Sequence, residues 1–149
     1  MKKIILTLVL CVLCISFSAC GAEEMNYNDG EYVGRSSVYI NDDGTDDGNG
    51  YGEVTITIAG NIITECEFLC YETNDNLKDT EYGKAASGEI ANRDFYNKAQ
   101  KSVAACSEYS RMIVENGSID GIDSISGATI NYNSLLEAMD IALDQAVVK

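Results

Sequence analysis

The chain has 149 residues, with 24 Asp and Glu against 10 Lys and Arg, for a formal charge of −14. That length fits one domain, and that charge excludes nucleic-acid binding through a broad basic face. The chain has no His, which excludes His metal ligation, His-ligated haem and a Ser-His-Asp triad, and its 46% hydrophobic content excludes a wholly disordered protein.

Residues 1–19 come first and read as a targeting segment. Lys2 and Lys3 precede an uncharged, mostly apolar stretch over 4–19. That stretch is too short for a comfortable membrane span and suits a signal peptide. It ends in Phe17-Ser18-Ala19-Cys20, which resembles the bacterial lipobox, where the Cys is lipidated and becomes the new N-terminus. A plain signal peptide cut near Ala19, or an N-terminal anchor, is the alternative. The expectation is a lipid-anchored protein on the extracytoplasmic face of the cell membrane. Residues 20–30 would form a polar tether and 31–149 the domain. Removing 1–19 takes two of ten basic residues and none of 24 acids, so the mature charge is −16.

Cys11 and Cys14 leave with the signal and Cys20 takes the lipid, which leaves Cys66, Cys70 and Cys106. Cys66 and Cys70 lie about 13 Å apart along an extended chain and cannot bridge to each other without a bend. Core thiols are expected, with one disulfide to Cys106 as the alternative. Three thiols without CxxC spacing make a metal site improbable, and none is expected.

Residues 34–40 alternate and read as a first strand. NDDGTDDGNG over 41–50 lacks the order and closing Glu of a calcium loop and reads as a solvated turn. In 51–58, Val54, Ile56 and Ile58 share one face and Glu53, Thr55 and Thr57 the other, as in a half-buried strand. Ala59-Gly60-Asn61 is a tight turn into a strand over 62–71, with Ile62, Thr64, Cys66, Phe68 and Cys70 on one face. A hairpin results. Residues 72–90 read as loop. A helix over 92–115 carries Phe95, Ala99, Val103, Cys106, Ser110 and Ile113 on one stripe and stops at Asn116-Gly117. The last helix places Leu135, Leu136, Met139, Ala142, Leu143 and Ala146 on one stripe, with Asn131 or Asn133 as its cap. The fold class is α+β: a small antiparallel sheet packed against helices.

One segment carries a functional signal. Residues 120–129, DGIDSISGAT, lie between the two helices. By composition alone they form an ordinary Gly/Ser/Asp loop. Yet Ser126, Gly127 and Ala128 are small and let a flat ligand or a phosphate approach the backbone. Thr129 presents a hydroxyl at the start of the last helix, where unpaired N–H groups and the helix dipole favour a phosphate.

Asp123-Ser124-Ile125-Ser126-Gly127-Ala128-Thr129 resembles the D-x-x-[ST]-G-A-[ST] flavinylation motif of the FMN-binding domain family. That family includes the flavin-carrying subunits of sodium-pumping NADH:quinone reductase and of related ferredoxin:NAD reductase complexes. It also includes lipoprotein electron carriers. The similarity extends to Asp29-Gly30-Glu31-Tyr32-Val33-Gly34, Gly50-Tyr51-Gly52 and Glu72-Thr73. The resemblance implies a flavin-attachment loop before the last helix and FMN held by a phosphoester to Thr129. It implies that a flavin transferase moves the FMN unit from FAD with the help of a divalent metal. Asp123 would then position, while Ser126, Gly127 and Ala128 shape the backbone around the phosphate. Tyr51, Gly52, Glu72 and Thr73 would pack against the flavin, with Tyr132 a stacking candidate by proximity. The implied function is electron relay between membrane or extracytoplasmic redox partners, with no catalytic residue and no substrate turnover. The alternative is a flavin-free or non-covalent ligand-binding lipoprotein module.

Overall fold

The computed structural model describes residues 25–45 and 48–149. The expected signal peptide, with Cys11 and Cys14, the expected lipid-bearing Cys20, and Asp46 and Asp47 of the acidic turn lie outside those residues. Five elements follow in order: β1 (Gly30–Arg35), β2 (Tyr51–Ala59), β3 (Ile62–Tyr71), α1 (Arg93–Asn116) and α2 (Thr129–Ala146). The strands form one antiparallel sheet in the order β1-β2-β3. Both helices lie on one face, α2 over β1 and β2, and α1 over β3. The α+β expectation of a small sheet packed on helices therefore holds. Among the described residues no helix is long and apolar enough to cross a membrane.

The hairpin is set by local chemistry. Gly60 and Asn61 both take positive φ, 60° and 66°, as a two-residue turn matched to strand twist requires. Val54, Ile56 and Ile58 enter the core as the alternation predicts. On β3 the face assignment needs correction. Thr57 pairs with Glu65 but Ile58 pairs with Ile63, so Thr64 is an extra residue. This bulge reverses the alternation. Ile63 is buried, while Ile62 is 53% exposed and Thr64 is exposed too.

The first strand also sits earlier than the 34–40 expectation. The strand spans Gly30–Arg35 and so shares only Gly34 and Arg35 with the expected range. Gly34 is required by contact: a Cβ there would lie 1.8 Å from the Ala138 carbonyl oxygen of α2. Beyond Arg35 the chain leaves the ladder and keeps only spaced bonds, Ser36 N–H to the Gly52 carbonyl and Tyr39 N–H to the Gly50 carbonyl.

The helix α1 begins and ends where its residues direct. Asn92 caps it by accepting from the Phe95 N–H, and Gly117 closes it at φ 74°. Ala99, Cys106 and Ile113 are buried as expected, joined by Ala105 and Tyr109. Phe95 is the exposed member of the expected stripe, at 52%. In α2, Leu135, Met139, Ala142 and Ala146 are buried, with Ala138 and Ser134, whereas Leu136 faces out. The capping expectation fails. The N-cap is Ala128 and no side chain caps the helix. Asn131 is buried inside the first turn instead, and donates to the Ser102 carbonyl (2.9 Å) and to Cys106 Sγ (3.2 Å). Asn133 is exposed.

Cys70 and Cys106 are buried, Cys66 is half-buried, and all three are free. At the other end of α2, Tyr27 bridges to Val147, and the Asn28 N–H donates to the Ala146 carbonyl. The N-terminal approach and the C-terminus thus meet at the C-terminal end of α2, away from Thr129.

Candidate functional site

The loop between the helices is held from beneath by two tyrosines. Tyr132 Oη donates to the Ile122 carbonyl (2.6 Å), and the Ile125 N–H donates to Tyr109 Oη (2.8 Å). The two rings lie 5.8 Å apart between centroids. Tyr132 is therefore engaged in supporting the loop. Above this support a tight turn closes, with the Ala128 N–H donating to the Ile125 carbonyl (2.9 Å). Gly127 sits in it at φ 84°, a left-handed conformation that favours glycine. The turn delivers Ala128, buried, and Thr129, exposed, to the head of α2.

That head opens into a cavity of about 450 Å³, within the size range of small-molecule sites. Gly127, Ala128, Thr129, Ile130 and Asn131 form one side of it. Ala99, Ser102, Phe95 and Lys98 of α1 form a second side, and Asn49, Lys78 and Tyr82 close the third. Its electrostatics run against those of the whole chain. Two lysines line it and no acidic residue does, although acids outnumber bases 24 to 10. The first turn of α2 adds backbone N–H groups that no side chain caps, together with the positive end of the helix dipole. The combination suits an anion such as a phosphate.

Lys78 is the unusual member. It is only 7% exposed. Its Nζ donates to the Asn49 carbonyl and lies 5.0 Å from the Tyr82 ring centroid. Among the described residues it has no carboxylate within ion-pair distance. Burial pushes its pKa below the ordinary lysine value. Tyr82, also beside this cation, has its pKa raised, by burial first and then by the Glu72 charge.

The expected site residues fall in several places. Gly127, Ala128 and Thr129 line the cavity together. Ser126 faces a neighbouring groove bordered by Lys101, Glu108 and Ile125. Asp123 is exposed on the loop, outside the cavity lining. Tyr51 lies on the sheet face away from the helices. It stacks on Tyr71 at 5.1 Å, lies under Arg35 at 3.7 Å, and donates to Asp75 Oδ1 at 2.7 Å. Gly52 lies against Phe68 and Ser134, where a Cβ would come within 2.6 Å of the Phe68 ring. Glu72 borders a separate cleft of about 570 Å³ with Asp79 and Glu81, which shares Tyr82 with the cavity. Thr73 is exposed at the turn after β3. The structure thus brings together the last three residues of the loop motif and separates them from the other candidates.

Lys78, Tyr82, Phe95 and Lys98 escaped the sequence reading. The first two lie in 72–90, which has no periodicity to reveal an inward-facing residue. The chain there returns to the sheet, where the Lys78 N–H donates to the Cys70 carbonyl (2.8 Å) and Leu77 bridges to Tyr71. Phe95 fits a helical stripe numerically, and only its exposure and its place on the cavity set it apart.

A family model described as "FMN-binding domain" matches residues 48–144. No curated protein matches the chain significantly. Among solved structures, the crystal structure of the CPE2226 protein from Clostridium perfringens is similar, with a TM-score of 0.57 and 20% sequence identity. The match covers 81% of this chain and 89% of that one. At that identity the likeness is one of fold.

Proposed function

The chain belongs to the FMN-binding domain family, and from that premise we propose that it carries FMN covalently on Thr129 and relays electrons. One observation carries the reading: the uncapped head of α2 brings Thr129 to a cavity with two lysines and no acid. Those groups complement a phosphate in a chain that elsewhere repels one. Phe95 and Tyr82, on the same cavity, offer apolar surface for a flat ring system.

The bound flavin supplies one- and two-electron chemistry, and the protein supplies attachment, orientation and electrostatics. In this reading Thr129 Oγ1 forms the phosphoester bond as the pyrophosphate bond of FAD breaks. AMP leaves and the hydroxyl proton goes to solvent or to a base. No carboxylate lines the cavity beside Thr129, so a flavin transferase, with its divalent metal, provides the activation. Lys78, Lys98 and the first N–H groups of α2 neutralise the phosphate. Gly127 and Ala128 keep the backbone open to it, and the Asp123 carboxylate on the exposed loop is the recognition group for the transferase. Cys20 carries the lipid that holds the domain on the extracytoplasmic face, where a covalent bond prevents loss of the cofactor. Membrane-bound or extracytoplasmic redox proteins are the electron donor and acceptor.

The reading is tested by denaturing protein co-expressed with a flavin transferase and separating it from small molecules. Covalent attachment keeps the yellow colour with the polypeptide. Colour released into the filtrate would mean non-covalent binding, and colourless protein would favour the flavin-free module.

A further inference from the structure

Cys70 and Cys106 have no part in the proposed attachment, yet among the described residues their thiols are in direct contact in the core. Their Sγ atoms lie 3.1 Å apart. That is closer than the roughly 3.5–4.0 Å at which the smaller carbon atoms rest in contact. It is about 1 Å beyond the S–S bond length of about 2.05 Å. The residues come from different elements, β3 and α1, which pack face to face. We infer that Cys70 and Cys106 are a thiol–disulfide site, oxidised by a low-molecular-weight or protein disulfide to a bond that staples β3 to α1.

The surroundings order the two sulfurs. Asn131 Nδ2 donates to Cys106 Sγ at 3.2 Å. The hydrogen bond from Cys70, then that from Asn131, hold the Cys106 thiol below its ordinary value, while Cys70 is raised by the shared proton and by burial. Cys106 is therefore the first nucleophile. Its thiolate attacks one sulfur of the external disulfide and releases one thiolate. The Cys70 thiolate then attacks the Cys106 sulfur and releases the second. Two cysteine thiols are oxidised, one external disulfide is reduced to two thiols, and the two cysteine protons pass to the leaving groups. Asn131 and Ser102 both line the cavity and contact Cys106 through hydrogen bonds, so the cavity is the route of approach. Cys66 is a poor partner for either. It sits about 13 Å along the strand from Cys70, and burial pushes its thiol up to about 11.

The staple has a defined consequence. Lys78, Tyr82, Phe95, Lys98 and Ser102 all fall between the two cysteines in sequence and all line the cavity. One bond would close the base of the segment that supplies this wall. The inference does not depend on FMN attachment.

The test uses the full chain in detergent, reduced, then incubated with oxidised glutathione, with remaining thiols alkylated in denaturant. Peptide mass mapping without reduction should find the Cys70 and Cys106 peptides joined with loss of two hydrogens, and Cys66 alkylated. The oxidised protein should melt roughly 10 °C higher than the reduced form. Separate alkylation of Cys70 and Cys106, a glutathione adduct persisting on either, or linkage of either to Cys66 would overturn the inference. Cys70→Ala should abolish the melting difference. If that variant does not fold, the mapping of the unaltered chain decides alone.

Discussion

At Thr129 the demand is for a hydroxyl at the head of a helix, and the demand at Lys78 is for a cation in a place that burial makes expensive. Thr129→Ser keeps the hydroxyl and should retain flavin, whereas Thr129→Ala should abolish attachment while leaving the far-ultraviolet spectrum unchanged. Thr129 is exposed, so neither change reaches the core. Lys78 yields a pH prediction. Its pKa in the folded domain lies below the unfolded value. Stability from this group is therefore lowest at neutral pH and recovers as pH rises from the folded pKa toward about 10.4. Denaturant titrations of wild type and Lys78→Met across that window should differ in slope, wild type gaining relative to the variant. The same variant should lose phosphate affinity. A parallel pH dependence in the two proteins would show that burial of Lys78 carries no cost. At this scale Gly127, Ala128 and Thr129, which line the cavity, stood out in the sequence because they are contiguous and small. The lysines did not, because four separate segments assemble the cavity and nothing in their local pattern marks them.

Among the elements, α1 was readable nearly to the residue, since Asn92 and Gly117 supply both its caps, whereas α2 was readable from its apolar stripe but not in its start, because no side chain caps it and Asn131 is buried inside the first turn. The strands were readable as a hairpin, but not in every facing residue, because Thr64 adds one residue to β3 and an alternation count cannot see a bulge. The first strand was expected over 34–40 and lies over Gly30–Arg35 instead, with Gly34 near its end as a contact point. The missing side chain of Gly34 lets β1 lie directly on α2. Gly34→Ala should therefore destabilise by more than about 3 kcal/mol or prevent folding, since backbone atoms block the new carbon. Gly127→Ala meets no neighbour within 4 Å but must hold φ 84°, at a cost of about 1–2 kcal/mol. It should fold and lose much of its flavin loading. Urea titration separates the two cases.

For the whole molecule, the two ends of α2 divide the work. The N-terminal approach docks at the C-terminal end through Tyr27 and Val147. Thr129 opens the other end, about 27 Å away by helix rise. A lipid on Cys20 would thus hold the domain by the end remote from the cavity, leaving the proposed flavin site accessible to soluble partners. The formal charge of −14 favours partners with basic faces. Electron transfer to such a partner should slow steeply between low and physiological salt, as steered association does. A rate indifferent to salt would exclude steering by the acidic surface. The charge was legible from composition alone, but the basic cavity within it needed the fold.

Covalent flavin on Thr129 is decided by intact-mass analysis of residues 21–149 co-expressed with a transferase shown to modify another substrate. A gain of about 438 Da, the mass of FMN less water, is expected in wild type and not in Thr129→Ala. An unmodified mass in wild type, or the same gain in Thr129→Ala, would contradict covalent attachment at Thr129.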